Sequence, residues 1–203
     1  LPAKEGDVVK LKFNTFNTYS THYMYVYAGA EVNADKLLAK VSGSTLPAQL
    51  ISTADNGAMT IRFVSTSSGS NNAGWEAEVS SYTPSARTVE SVTTSQVGEA
   101  TIMRGSGNEP VQKVVVKVSG DKGSIALSNL TFNSGATTNQ ADITKATLYY
   151  TAKSSGFIAN NSLGTSSGNT SSFDLSGINL PDAGEYYFWL AYDINKTATA
   201  GNI

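Results

Sequence analysis

The run Glu185-Tyr186-Tyr187-Phe188-Trp189-Leu190-Ala191-Tyr192-Asp193-Ile194 constrains the fold more than any other stretch. In an extended strand, Tyr186, Phe188, Leu190, Tyr192 and Ile194 fall on one face, and Tyr187, Trp189, Ala191 and Asp193 on the other. Rings and aliphatics on both faces, with no helical period, predict a central strand covered on both sides. Burying each large side chain stabilises by roughly 1.5–3 kcal/mol, so this strand is expected to anchor a sandwich core. Its expected partner is Ala146-Thr147-Leu148-Tyr149-Tyr150-Thr151, a second aromatic and β-branched run.

The rest of the chain is written in the same alphabet. Charged residues are 15% of the 203, below the roughly 25% of an average soluble domain. Ser, Thr, Asn and Gly are abundant, which suits short strands joined by turns and an extracellular setting. The net charge is -2, with no basic cluster interleaved with rings, so a nucleic-acid partner is excluded. No apolar run approaches the ~18 residues of a spanning helix. Cysteine is absent, which removes disulfides, thiolate metal sites and thiol nucleophiles. The sequence opens at Leu1 without a signal peptide, so either a leader has been removed or this is a piece of something longer.

In the first half, Val9, Leu11 and Phe13 alternate with lysines, and Tyr23-Met24-Tyr25-Val26-Tyr27 forms the next expected strand. Residues 37–41 could form a helical turn, but Ser42-Gly43 ends it too soon, so a strand is predicted. Asp55-Asn56-Gly57 is a turn signal joining residues 50–52 to 59–64. A polar loop over residues 65–72 leads to an alternating strand over 74–79. About six strands at this spacing predict a sandwich or barrel.

Several of these blocks resemble a CUB domain. They are Tyr25-Val26-Tyr27-Ala28-Gly29, Leu37-Leu38, Ser42-Gly43, Leu46-Pro47, Ser52-Thr53, Asn56, Met59-Thr60-Ile61-Arg62-Phe63 and Gly74-Trp75-Glu76-Ala77. The resemblance covers about residues 8–79 and implies a jelly-roll-like sandwich that binds proteins or glycans rather than doing chemistry. Calcium-binding CUB domains carry Asp where this chain has Ala28 and Thr66. Calcium needs roughly 6–8 oxygens including carboxylates, so no metal is carried over. The family's cysteine before the glycine is Ser42 here, so packing must replace the ~2–4 kcal/mol a disulfide supplies. Only seven residues precede the matching segment, and the domain is expected to lack its first strands.

Tyr82-Thr83-Pro84-Ser85-Ala86-Arg87 reads as the boundary. Residues 89–92 and Ala100-Thr101-Ile102 open the next unit, and a Gly105-to-Pro110 loop precedes a valine-rich strand over residues 111–118. Turns follow at 120–123 and 181–184, with a loop over 135–140 and a Ser/Gly/Asn-rich excursion between Phe157 and Ser171. The blocks Asn133-Ser134-Gly135-Ala136-Thr137-Thr138, Ala141-Asp142-Ile143-Thr144-Lys145-Ala146, Leu148-Tyr149-Tyr150-Thr151, Leu180 and Tyr187-to-Ile194 look like the N-terminal accessory domain of BNR-repeat sialidases. That resemblance covers about residues 89–202, and the family continues into a further strand past Ile203.

Chemistry-bearing residues are few. His22 is the sole histidine, and no Gly-x-Ser-x-Gly motif accompanies it; an ordinary strand-end role is favoured. The sialidase Asp-box turns and arginine triad are missing; Arg62, Arg87 and Arg104 stand in unrelated settings. Asp142 and Asp193 are a weak candidate pair for a shared cation, against the favoured reading that each accepts loop N–H groups. Gly105-x-Gly107 is too short for a phosphate cradle. The sequons at Asn129, Asn160, Asn169 and Asn195 read as polar loop sequence in a bacterial protein. Tyr23, Tyr25, Tyr27 and Trp75, with Tyr19 and Tyr82, are candidate ligand-binding rings, against a core or inter-domain role.

The chain is therefore expected to be all-β, two tandem β-sandwich (jelly-roll/Ig-like) domains over residues 1–83 and 89–203 with a linker at 84–88. It is expected to be a non-catalytic accessory or adhesion module, without cofactor, of a larger secreted or cell-surface bacterial protein. Its expected partners are other domains of the parent and a host or matrix protein, the alternative being a glycan to which it targets an attached sialidase or protease. Open sheet edges at the two cut ends are expected to take strands from elsewhere.

Overall fold

A computed structural model describes residues 1–66, 72–97, 101–134, 137–167 and 170–201. The chain is all-β, built of antiparallel sheets, and divides into two compact units, Leu1–Pro84 and Ser85–Ile203. The polar loop expected over 65–72 lies mostly outside the described residues. So do Ala100, the start of the 135–140 loop and the Asn169 sequon.

Unit 1 carries β1 (Val8–Asn17), β2 (Tyr23–Ala28), β3 (Leu37–Val41), β4 (Leu50–Ile51), β5 (Met59–Val64) and β6 (Gly74–Tyr82). They form two three-stranded sheets, β4-β1-β6 and β3-β2-β5. Leu11, Phe13 and Phe16 from one sheet meet Met24 and Val26 from the other to make the core. Alternation in β1 runs Val9, Leu11, Phe13; a bulge between Phe13 and Thr15 then shifts the phase, so that Phe16 points inward. Residues 37–41 are a strand, as Ser42-Gly43 predicted, and a short 3-10 turn, Ala34–Lys36, precedes them.

The Asp55-Asn56-Gly57 turn forms where expected. Asn56 Oδ1 accepts the Ala58 N–H at 3.1 Å, and Gly57 takes φ +66°. A Cβ on Gly57 would stand 2.0 Å from the Asp7 carbonyl oxygen, so this turn docks on β1 only because its side chain is a hydrogen. Asp7 is itself buried; Thr83 Oγ1 donates to it at 2.6 Å and Ser81 Oγ at 3.2 Å. That carboxylate ties the start of β1 to the end of β6.

Unit 2 carries β7 (Thr88–Gln96), β8 (Glu109–Ser119), β9 (Ile125–Ala126), β10 (Asn129–Asn133), β11 (Ile143–Tyr150), β12 (Ser162–Ser166), β13 (Thr170–Asp174), β14 (Asn179–Leu180) and β15 (Gly184–Ile194). The main sheet runs β12-β11-β15-β8-β7, with β15 in the middle. The expected partner is the observed one: Leu148 lies opposite Leu190 and Tyr150 opposite Phe188. Both faces of β15 are covered. Tyr186, Phe188 and Leu190 pack with Val114, Val116, Phe132, Phe173, Leu175 and Leu180. On the reverse face Trp189 and Ala191 pack with Tyr149, Val97 and Phe157.

The excursion after Phe157 is not wholly irregular. It contains β12, which pairs with β11, and Leu163 is its one side chain packed on the core. A Ser/Gly-rich edge strand carries no apolar alternation to read, which is why it looks like a loop.

Ser85 to Arg87, read from sequence as linker, is bound to the 120–123 turn. Asp121 Oδ1 accepts the Ser85 N–H at 2.7 Å, and the Arg87 guanidinium donates to the Gly120 carbonyl at 2.6 Å and the Gly123 carbonyl at 3.2 Å. Arg87 N–H donates to the Lys122 carbonyl at 2.8 Å, beside a parallel bridge between Ala86 and Lys122. Gly120, at φ +85°, is required here, since a Cβ would lie 2.2 Å from the Ala86 carbonyl oxygen.

Candidate functional site

Period two puts Met24 and Val26 in the core of unit 1, so Tyr23, Tyr25 and Tyr27 occupy the outer face of β3-β2-β5. Tyr25 and Tyr27 stack with centroids 6.3 Å apart and planes within 10°. Tyr23 tilts against Tyr25 at 6.2 Å. Tyr27 is buried, while Tyr23 and Tyr25 are partly open to solvent. A core role therefore does not account for Tyr23 or Tyr25.

Register places Lys40 of β3 and Arg62 of β5 directly beside Tyr25. Lys40 Nζ sits 4.3 Å from the Tyr23 centroid and 5.5 Å from that of Tyr25, cation–π geometry of the kind that contributes about 0.5–1 kcal/mol at exposed sites. The outer face thus presents two rings between two cations. It offers hydrogen bonding, ring stacking and positive charge.

Trp75 does not join that row. It lies on β6, in the other sheet, opposite Phe16 and edge-on to Phe13 at 6.3 Å. Parity along a strand shows which rings share a face, but not which sheet a later strand joins, so Trp75 is a candidate ring apart from the three tyrosines. Trp75 lines a shallow depression with Asn17, Tyr19, His22, Phe63 and Asn72. There His22 meets Tyr19 at 5.6 Å and Phe63 at 6.3 Å, both edge-on. Its Nε2 is buried without a hydrogen-bond partner among the described residues, and no carboxylate lines the depression. This is a ring packed between Tyr19 and Phe63 just before β2.

Asp142 binds within its own turn, whereas Asp193 binds the loop before β8 and Lys145 of β11. Asp193 Oδ1 accepts the Asn108 N–H at 2.8 Å, and its Oδ2 lies 2.6 Å from Lys145 Nζ. Burial pushes the Asp193 carboxyl up, but Lys145 and the Asn108 N–H together outweigh it and hold the group below the ordinary Asp value. The same pairing raises Lys145. Asp142 closes the 3-10 turn Gln140–Asp142, where its Oδ1 accepts from Asn139 Nδ2 at 3.1 Å. Among the described residues no three His, Cys, Asp or Glu side chains gather as metal ligands. The positions of the CUB calcium ligands do not fit the ion either. Ala28 is buried at the end of β2, and Thr66 Oγ1 shares a hydrogen bond with Thr21 Oγ1 at 3.0 Å.

Sequence reasoning expected open edges but did not identify the side chains left exposed on them. Ile61, Phe63, Trp75 and Val79 all point to the interior of unit 1 by register, yet remain 37%, 45%, 39% and 64% exposed. In unit 2, Val89 and Val92 of β7 face the same way as Val118 and Val116 and are also exposed. Alternation was the available signal for their direction. It carried no information on whether a second layer covers them.

The family model of the CUB domain matches residues 1–79. CUB domains are generally non-catalytic protein-interaction modules and occur mainly in secreted or extracellular proteins. No curated protein matches the chain. Among the described residues no helix is long and apolar enough to cross a membrane.

Proposed function

We propose that this chain is a non-catalytic accessory module of a larger secreted or cell-surface bacterial protein, making adhesive contacts with host or matrix proteins. The observation that carries this reading is the outer face of β3-β2-β5, where Tyr23 and Tyr25 stand between Lys40 and Arg62. Tyrosine and arginine are enriched at protein interfaces because they join apolar area to hydrogen bonding at low conformational cost. Lys40 and Arg62 make no ion pair among the described residues, so an acidic partner surface would satisfy them. Unit 2 is read as the sialidase-associated accessory type, with residues 84–88 as linker, and as a companion that positions the neighbouring parts of the parent protein.

The test is biolayer interferometry against immobilised collagen, fibronectin and laminin. Binding to at least one is expected, weakened about tenfold or more by Tyr25→Ala and by Arg62→Ala; each tenfold is 1.4 kcal/mol. Binding of equal strength in both variants overturns the assignment to this face.

A glycan ligand is the second reading, favoured by the parallel stack of Tyr25 on Tyr27 beside a cation. Glycan-array binding that survives Tyr25→Phe but not Tyr25→Ala would select it. Release of sugar from sialosides by this chain alone would overturn both readings.

A further inference from the structure

We propose that the outer face of β3-β2-β5 docks an amphipathic acidic helix of the partner protein, with acidic residues at i and i+7 and apolar residues at i+3 and i+4. This rests on the reading of that face as a protein-contact surface and deepens it by naming the partner's shape and charge.

The face carries a pattern fixed by register. In the middle, Lys40 of β3 and Arg62 of β5 lie on either side of Tyr25. Two residues along β2, Tyr27 lies beside Leu37; two residues the other way, Tyr23 lies beside Val64. Directly paired residues project from the same face, so a cation–ring–cation row is flanked by two rows of ring and aliphatic. Leu37 is 43% exposed, and Tyr23, Tyr25 and Val64 are partly open. Tyr27 is buried and backs Tyr25 in the stack.

The charge of these strands is uncompensated. β2, β3 and β5 contain no Asp or Glu, and Lys40 and Arg62 make no ion pair among the described residues. The other sheet of unit 1 is balanced, with Lys10 and Lys12 on β1 set against Glu76 and Glu78 on β6. A chain of net charge -2 thus keeps one sheet whose only strand charges are two cations. The rings also hold one of these in place, since Lys40 Nζ rests 4.3 Å from the Tyr23 centroid and 5.5 Å from that of Tyr25. An ammonium placed in advance loses less freedom when an anion arrives.

Spacing selects the occupant. Lys40 and Arg62 leave the sheet two strand separations apart, about 9.4–9.8 Å. An extended segment puts same-side residues about 6.8 or about 13.6 Å apart, which misses that span. A polyproline II segment reaches about 9.3 Å between i and i+3, but sets no side chain between them to cover Tyr25. An α-helix laid across the strands sets i and i+7 about 10.5 Å apart, with i+3 and i+4 on the same face, one on each side of the line joining them. Two acids then meet Lys40 and Arg62, while two apolar side chains cover the rows of Tyr23 and Tyr27.

The test uses the full chain and a fluorescein-labelled helical peptide of roughly 18 residues, long enough to hold a helix in water. It is built on alanine and glutamine, with Glu at i and i+7 and Leu at i+3 and i+4. Fluorescence anisotropy should show saturable binding that weakens as salt rises from about 0.05 to about 0.5 M, because exposed ion pairs are screened. The same peptide with Lys for Glu should bind at least tenfold more weakly, as should one of equal composition with the second Glu moved to i+5, off the docking face. Lys40→Glu combined with Arg62→Glu should reverse the preference, toward the Lys peptide. Both side chains are exposed, and circular dichroism checks that the variant is folded. The milder Arg62→Gln should weaken binding of the Glu peptide without reversal, and Glu78→Gln, on the other sheet, should leave it unchanged.

Equal binding of the Lys or the i+5 peptide would overturn the inference, as would full binding by folded Arg62→Gln, or no binding at all. So would a sulfated polysaccharide that displaces the peptide at equal charge and itself loses affinity in Arg62→Gln, because the face would then belong to a glycan. Matrix-protein binding that Tyr25→Ala abolishes, without peptide binding, would overturn this inference and leave the protein-contact reading standing. Peptide binding without matrix binding would overturn the matrix partners and leave the helix standing.

Discussion

β15 in unit 2 and β6 in unit 1 are both long alternating strands ending in aromatic or branched residues, yet water treats them differently. Phe188 and Leu190 of β15 are sealed, and so are Trp189 and Ala191 on the reverse face. On β6, Val79 points inward and is still 64% exposed. The difference is neighbours. β15 has β11 and β8 alongside and side chains packed on both faces. Among the described residues β6 has a strand on one side only, and the sheet across from it ends at β5. Alternation sorts residues between faces; adjacent strands and layers decide which face is dry. At roughly 25 cal/mol per Å² of apolar surface, that choice separates a structural anchor from an unfilled surface.

The sharpest way to break this contrast is to empty the dry strand. Phe188→Ala should cost about 3–5 kcal/mol. Urea unfolding in a Trp75→Phe background reads it, because Trp189 is then the sole tryptophan. A loss below about 1 kcal/mol would mean that β15 is not the anchor it resembles.

Next in size is Asp7→Ala, at about 1–3 kcal/mol, since it strips a buried acceptor from Ser81 and Thr83. Its measurement follows Trp75 during urea unfolding and checks whether unit 1, open on one side, depends on the tie at its other end.

Asp193→Asn should cost less than about 1 kcal/mol, as befits a partly exposed pair, and the cost should depend on pH. The folded carboxyl is held below its ordinary value, so its contribution is present above the unfolded pKa of about 4 and fades as pH falls through the lower folded value. Lys145 is raised, so the pair persists to alkaline pH and weakens as pH rises through the lysine's folded value. Thermal melts of wild type and variant should differ near pH 7, and the gap should shrink as pH falls below about 4. A constant gap would assign the effect to packing.

Val79→Thr should change stability by no more than about 0.5 kcal/mol. A larger loss in denaturation would show that water does not reach this side chain.

Much of the fold was legible because strong aromatic and β-branched runs and turn residues mark it. Both faces of β15, its pairing with residues 146–151 and the Asp55-Asn56-Gly57 turn all follow from spacing and turn chemistry. So does the strand at 37–41, which Ser42-Gly43 cuts too short for a helix. The bulge after Phe13 was not legible, because one extra residue in a strand leaves no mark in composition. Nor was β12, whose serines and glycine carry no alternation. At the candidate site, period two put Tyr23, Tyr25 and Tyr27 on one face. That Trp75 lies in the other sheet was not legible, because sheet membership is a long-range property. Open edges were expected, but which side chains line the open side of unit 1 was not legible, since that depends on which strands end each sheet.

The hydrogen bonds joining Ser85 and Arg87 to the 120–123 turn have a mechanical consequence. Tension on the chain ahead of Ser85 loads the Asp121, Lys122 and Gly120 bonds together, across a parallel bridge. They must slide as a group before β7 can be peeled from β8 one rung at a time. A short clasp of this kind makes the entrance to unit 2 stiff under pulling.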